Sequence, residues 1–400
     1  MQSIKELYKI GRGPSSSHTL ACERACKLFM QDFPNVDHYR IELYGSLSLT
    51  GKGHMTDKVM IETLAPAKVE VTFKLDWEED FPNGFYLRGY DQNDALMAAW
   101  TVFSIGGGSI KIKEKPLNYN DEIYKETSFE EIKDVLQKRQ FSLLNYIYEY
   151  EPDIEDYLIE VVSAMINCVE HGLTQSGYLP GTLKVERSAK SLNIKARLCD
   201  NELEKQRLLI MSYAYSANEE NAGGNQVVTA PTLGACGVLA SIVYYCYKDL
   251  QISKIQLAKA LAIAGIFGNL IKQNATISGA MGGCQAEVGA ACSMGCAALA
   301  YLNDLNLKQI EYAAEIGIEH HLGLTCDPVG GYVIIPCIER NAVAALRSFD
   351  AVTLSKYMSQ IKPNKVNFDT IVETMNYTGK KIAYELKETS LGGLAREFKG

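Results

Sequence analysis

From Asp153 to the C-terminus the sequence reads as one helical pattern after another with almost no strand signal, and this run constrains the fold more than any other feature. Apolar residues recur at helical spacing over 157–173, 203–215, 234–249, 255–273, 287–303, 308–320, 340–349 and 366–386. Each segment therefore carries an apolar stripe that must be buried against a neighbour. The stretch 257–302 is dense in Ala, Gly and Ser, which lets helix backbones approach closely, so it is expected at the centre of a helical domain.

The N-terminal part follows other rules. Residues 15–29 are helical in pattern after the turn Gly11-Arg12-Gly13-Pro14. Residues 38–44 alternate as a strand with Tyr39, Ile41 and Leu43 on one side, and Val69, Val71, Phe73 and Leu75 alternate in the same way. Residues 85–88 and 110–112 are weaker strand candidates, and Gly106-Gly107-Gly108 reads as a turn. Residues 116–150 are polar and tyrosine-rich, a linker that becomes helical where Ser128-Phe129-Glu130-Glu131 has capping-box spacing. The expected organisation is a mixed α/β domain over 1–118, a linker over 119–150 and a helical domain over 151–400. The fold class is thus an α+β N-terminal domain followed by a mostly α-helical domain.

Composition narrows the function. Of 400 residues, 47% are hydrophobic and 22% charged, as in an ordinary globular protein with a large core. The net charge is −8 and no Lys/Arg run occurs, which argues against nucleic acid and membrane surfaces as partners. The N-terminus shows no apolar signal segment. The apolar run 257–268 is too short to span a bilayer, and 284–302 carries Glu287. Eleven cysteines, an odd number without an export signal, point to a reducing cytoplasm with free thiols or metal ligands.

Three of those cysteines stand apart. Cys284, Cys326 and Cys337 each sit at a helix edge or in a Gly/Pro-rich turn, where a thiol is free to face a ligand. Cys168, Cys236, Cys246, Cys292 and Cys296 lie inside helical patterns and read as core. The wide spacing of the three is not a compact ferredoxin pattern, and the paired ligands usual for zinc are missing. Three thiolates suit an iron–sulfur cluster with one iron left open to act as a Lewis acid, although buried structural thiols account for the same residues.

Polar clusters supply a second layer. Gly13-Pro14-Ser15-Ser16-Ser17-His18-Thr19 gathers hydroxyls and a histidine at a helix start, where anions bind. A plain serine N-cap explains it equally. Lys52, His54, Thr56 and Asp57 share a Gly-flanked loop that is able to present a general base or be a solvated turn. Lys272, Gln273, Asn274, Thr276, Ser278 and Gly279 concentrate polar groups just before Cys284. His320 and His321 are explained by a helix C-terminus.

Taken together, these motifs resemble the single-chain iron–sulfur-dependent L-serine dehydratases, in order along nearly the whole chain. The segments Gly13–Thr19, 51–57 and 104–108 are similar to that family's β-domain motifs. The segments 177–183, 229–232, 278–285 and 317–341 are similar to its α-domain. The resemblance implies a 4Fe–4S cluster on Cys284, Cys326 and Cys337, and a β-domain like the allosteric substrate-binding domain of some phosphoglycerate dehydrogenases. It implies L-serine as substrate, elimination of water giving pyruvate and ammonia, and a homodimer. His54 is the favoured base and His18 the second choice. Ser15, Ser16, Ser17, Thr19, Thr56, Asn274, Ser278 and Gly279 are expected to hold the substrate. Arg340 is expected to neutralise a carboxylate or the cluster, or to form a structural salt bridge. Single-chain members often end in a cysteine-bearing tail; here 388–395 follow that approach, but the chain ends Arg396-Glu397-Phe398-Lys399-Gly400 without one. L-Cysteine or L-threonine as substrate, a pyridoxal-phosphate enzyme, and an iron–sulfur sensor are the competing readings.

Overall fold

The computed structural model describes residues 1–115 and 122–399. The boundary expected at 118/119 and the first residues of the linker lie outside them.

The chain begins in the helical half. Met1, Ile4, Leu7 and Tyr8 are buried in the same core as the long helices. The Tyr8 hydroxyl donates to the Leu261 carbonyl at 3.0 Å, and the Ile4 N–H to Glu151 Oε1 at 2.9 Å. The strand Ile10–Arg12 then pairs antiparallel with Gln226–Val228. This pairing pins the following segment, including Ser15 and His18, between the two halves.

The N-terminal half is a five-stranded sheet ordered Lys68–Phe73, His38–Gly45, Asn83–Tyr90, Leu96–Gly106, Ser109–Ile112. The first two strands are parallel and the remaining pairs antiparallel. A parallel pair needs a crossover. Here the crossover runs through the short helix Ser46–Leu49, a loop bearing His54 and the helix Thr56–Leu64. Tyr39, Ile41 and Leu43 face inward together, as the alternation predicts. They pack with Phe29 and Cys26 of the helix Ala21–Asp32 and with Met60. Phe29 meets Trp100 edge-on with ring centroids 4.9 Å apart. Leu75 lies beyond the end of its strand and is exposed.

The helical half matches the periodic segments closely, with helices at Ile154–Gly172, Glu202–Ala222, Cys236–Lys248, Lys254–Asn274, Val288–Leu302, Leu307–Glu319, Cys337–Met358 and Phe368–Lys381. Val288–Leu302 is buried along nearly its whole length. Its small residues permit close packing: a Cβ on Gly317 of the neighbouring helix would stand 2.8 Å from the Ser293 Cα. Lys254–Asn274 is long and apolar enough to cross a membrane, but 78% of that window is buried inside the fold. The helices Phe129–Arg139 and Leu143–Tyr150 place Phe129, Ile132, Leu136, Tyr146 and Ile147 in this core. Ser128 caps the first of them through its hydroxyl and the Glu131 N–H, 3.2 Å apart. Cys168, Cys236, Cys246, Cys292 and Cys296 are all buried in the core.

Candidate active site

The sheet half contributes two histidines. His54 is almost wholly buried, and its Nδ1 lies 3.0 Å from the Thr50 carbonyl oxygen. A carbonyl only accepts, so Nδ1 carries the proton and Nε2 keeps its lone pair. His18 stacks on His54 with ring centroids 4.1 Å apart and planes 18° from parallel. His18 Nε2 sits 3.2 Å from the Ser46 carbonyl oxygen and 2.9 Å from Thr50 Oγ1, and its Nδ1 lies 3.0 Å from Ser15 Oγ. Both ring nitrogens of His18 are thus engaged. Burial holds His54 down at about 4. Burial, with His54 alongside, pushes His18 well below the ordinary histidine value. Both rings are neutral near pH 7.

Three separate turns of the helical half bring in the sulfurs. Cys284 opens the short turn Cys284–Ala286 ahead of the helix Val288–Leu302. Cys326 lies in an irregular loop. Cys337 is the first residue of the helix Cys337–Met358, at the positive end of its dipole. All three line one small, enclosed cavity together with Ser15, His54, Glu287, Asp327, Arg340 and Glu388. A wider cleft between the halves is lined by Lys9, Arg12, Glu23, Arg24 and Lys27 and carries no thiol or histidine.

The sulfurs are poised for a cationic group. Burial raises the Cys284 thiol to about 11, opposed by Arg340. Burial likewise raises Cys326 and Cys337. Three thiols in so enclosed a site stay protonated until something positive replaces their protons. Soft sulfur ligands select zinc, copper(I) or an iron–sulfur cluster. Arg340 also reaches Asp327, 3.4 Å away, and donates to the Thr325 carbonyl, so it braces the Cys326 loop while lining the cavity.

The structure brings His54, Ser15, Cys284, Cys326, Cys337 and Arg340 to one place, with His18 directly behind His54. Gly279 is close by, since a Cβ there would stand 2.7 Å from Glu287 Oε2. Ser278 and Thr56 are buried, and their hydroxyls have no hydrogen-bond partner among the described residues. The side chains of two other expected substrate residues, Ser16 and Thr19, are committed to the backbone. Ser16 Oγ accepts from the Leu233 N–H at 2.7 Å. The Thr19 hydroxyl donates to the Ser15 and Arg12 carbonyls. Ser17 is buried, and its carbonyl accepts from the Ser104 hydroxyl at 3.0 Å. Asn274 does not come to the cavity: it ends a helix, donating to the Thr127 carbonyl and accepting from Asn376. His320 and His321 turn back onto the carbonyls of their own helix.

Sequence reasoning missed Ser46, Thr50, Glu287 and Glu388 as parts of this site. Glu287 left a trace, a lone acid in an apolar run. Its Oε1 accepts from the Thr232 hydroxyl at 2.8 Å, and its Oε2 lies 3.9 Å from Cys326 Sγ. Glu388 comes from the C-terminal tail, which pairs with the Cys326 segment.

Comparison with known proteins gives one picture. The family "Serine dehydratase alpha chain" matches residues 62–395, and "Serine dehydratase beta chain" matches residues 3–76. The chain is 36% identical to L-serine dehydratase 1 of Escherichia coli, with 99% of each chain covered. It is 36% identical to the L-serine dehydratase of Helicobacter pylori, again over 99% of each, and 36% identical to that of Streptomyces coelicolor over 98% of each. With both family parts present on one polypeptide and its whole length aligned, the chain belongs to the L-serine dehydratase family.

Proposed function

We propose that the protein converts L-serine to pyruvate and ammonia, with a 4Fe–4S cluster held by Cys284, Cys326 and Cys337 of a helical catalytic domain at 151–400. The observation that carries this reading is the convergence of three thiols from three separate turns on one cavity with the free Nε2 side of His54. The donor set fits the cluster: three sulfurs, a cation in Arg340, and a buried carboxylate oxygen with no hydrogen-bond partner among the described residues.

Elimination of water from serine faces a weakly acidic α-proton and a poor leaving group. When bound, the cluster supplies Lewis acidity for the departing hydroxyl. The chain's own residues do the rest. His54 is neutral and its Nδ1–H is held by Thr50, so Nε2 takes the α-proton. His18 keeps the His54 ring in place by stacking and is itself fixed by Ser15, Ser46 and Thr50. Ser15 lines the cavity, and the hydroxyls of Ser278 and Thr56, without a hydrogen-bond partner among the described residues, are further donors for the substrate's polar groups. Arg340 balances negative charge among the sulfurs. The first product, aminoacrylate, tautomerises and hydrolyses in water.

The test is anaerobic purification, a visible absorption scan, and a pyruvate assay after adding L-serine. A broad blue-region shoulder lost in Cys326→Ala, together with pyruvate formation, is expected. A folded, anaerobically reconstituted sample without iron overturns the cluster assignment. A cluster without pyruvate overturns L-serine as the substrate.

A further inference from the structure

The C-terminal tail is tied to a cysteine loop more tightly than a terminus needs. The Cys326 N–H donates to the Leu386 carbonyl at 2.8 Å, and the Glu388 N–H returns a bond to the Cys326 carbonyl at 2.6 Å. The Ser46 hydroxyl, from the sheet half, donates to the Glu388 carbonyl at 2.9 Å. Beyond it, the Ser390 hydroxyl donates to the Pro328 carbonyl and the Leu394 N–H to Asp327 Oδ2. Glu388 adopts φ 58° and Ser390 φ 56°, a left-handed backbone that costs a side-chain-bearing residue energy and persists only where the surroundings enforce it.

This anchoring places one carboxylate in the cavity. Glu388 is 4% exposed and lines the same space as the three cysteines and His54. Its Oε2 has no hydrogen-bond partner among the described residues. Its Oε1 is 3.9 Å from His18 Nδ1, beyond hydrogen-bond reach, and that nitrogen already serves Ser15; the carboxyl group also meets the Ser46 hydroxyl and the Ala280 N–H. The two other acids of the cavity differ: Thr232 and the Cys326 thiol occupy the oxygens of Glu287, and Thr325, Arg340 and the Leu394 N–H occupy those of Asp327. A buried carboxylate oxygen left unsatisfied beside three thiols is costly unless a further partner arrives.

We propose that Glu388 is the fourth protein ligand of the cluster, its carboxylate oxygen holding the iron that the three cysteines leave open. This rests on the cluster reading above. The bond is a donated oxygen lone pair, with no electron transfer. No cysteine stands between Cys337 and Gly400, and Glu388 is the tail residue that reaches the cavity. A carboxylate is a harder donor than thiolate and yields to an incoming substrate oxygen more readily.

The experiment uses the full chain, reconstituted anaerobically and then selectively refilled with ⁵⁷Fe at the labile iron. Mössbauer spectra of that iron and the rate of three-iron cluster formation on exposure to air, read by electron paramagnetic resonance, are compared for wild type, Glu388→Gln and Glu388→Cys. The expected result is a shifted ⁵⁷Fe signal and several-fold faster iron loss in E388Q, with a thiolate-type signal and slowed loss in E388C. Cluster loading with identical ⁵⁷Fe signals and rates in all three overturns this inference alone. Failure of the wild type to load a cluster overturns it together with the reading on which it rests.

Discussion

His54 is where local geometry says most about chemistry. Its Nδ1 is fixed by a carbonyl four residues earlier, within its own loop, so the tautomer is set before any substrate arrives. Replacing it by Gln should lower turnover by about 10²–10⁴-fold while the cluster absorption stays, and turnover within a few-fold of wild type would remove it as the base. Its titration also bears on folding. The folded value is about 4 against an ordinary 6.5, so between those values the unfolded chain binds more protons. Stability from this ring is therefore complete above about pH 6.5 and drains away as pH falls toward 4, on the order of 3 kcal/mol in all. Denaturant titrations of cluster-free wild type and His54→Gln should show the wild-type curve falling more steeply with acid across that window. Parallel curves would mean that the ring is not held neutral. The rare residue types at this scale were legible from sequence: three cysteines at Gly/Pro turns and two histidines among hydroxyls. Thr50, Ser46 and Glu388 were not, because common polar residues acquire roles only through tertiary approach.

Among the elements, the helices were legible because each buries one stripe, and a stripe has a period. The strand Leu96–Gly106 was missed for the opposite reason. It runs through the sheet between two partners, with Trp100 and Val102 buried on one face and Phe103 covered by Trp77 and Phe81 on the other. A strand covered on both faces loses its alternation. The short helix Ala189–Arg197 escaped notice because its buried residues are two alanines. The decisive element for the site is the crossover loop that carries His54. Gly53 in that loop lies so close to the other half that a Cβ would stand 2.4 Å from the Gly331 carbonyl oxygen. Gly53→Ala should therefore push the loop away from the cysteines. Pyruvate formation should drop at least ten-fold, while far-ultraviolet circular dichroism and iron content hold; unchanged kinetics would show that the loop accommodates the methyl group without moving His54.

Over the whole molecule, the two halves are joined by more than the linker. The first residues are core residues of the helical half, and the strand Ile10–Arg12 reaches across to Gln226–Val228. Deleting residues 1–8 removes Ile4, Leu7 and Tyr8 from that core, at about 2–5 kcal/mol for each large side chain lost. The melting temperature of the helical half should fall sharply. A truncated protein with an unchanged melting curve would mean that the segment merely rests on the surface. The tail binds the far end in the same manner, and its contacts have a temporal consequence. Ser15 and His54 emerge early from the ribosome, the sulfurs later, and Glu388 about fifty residues after the last of the sulfurs. The cavity wall is therefore completed only after all three of these cysteines have been made, so the final closure of the site is a late event in the folding of the chain.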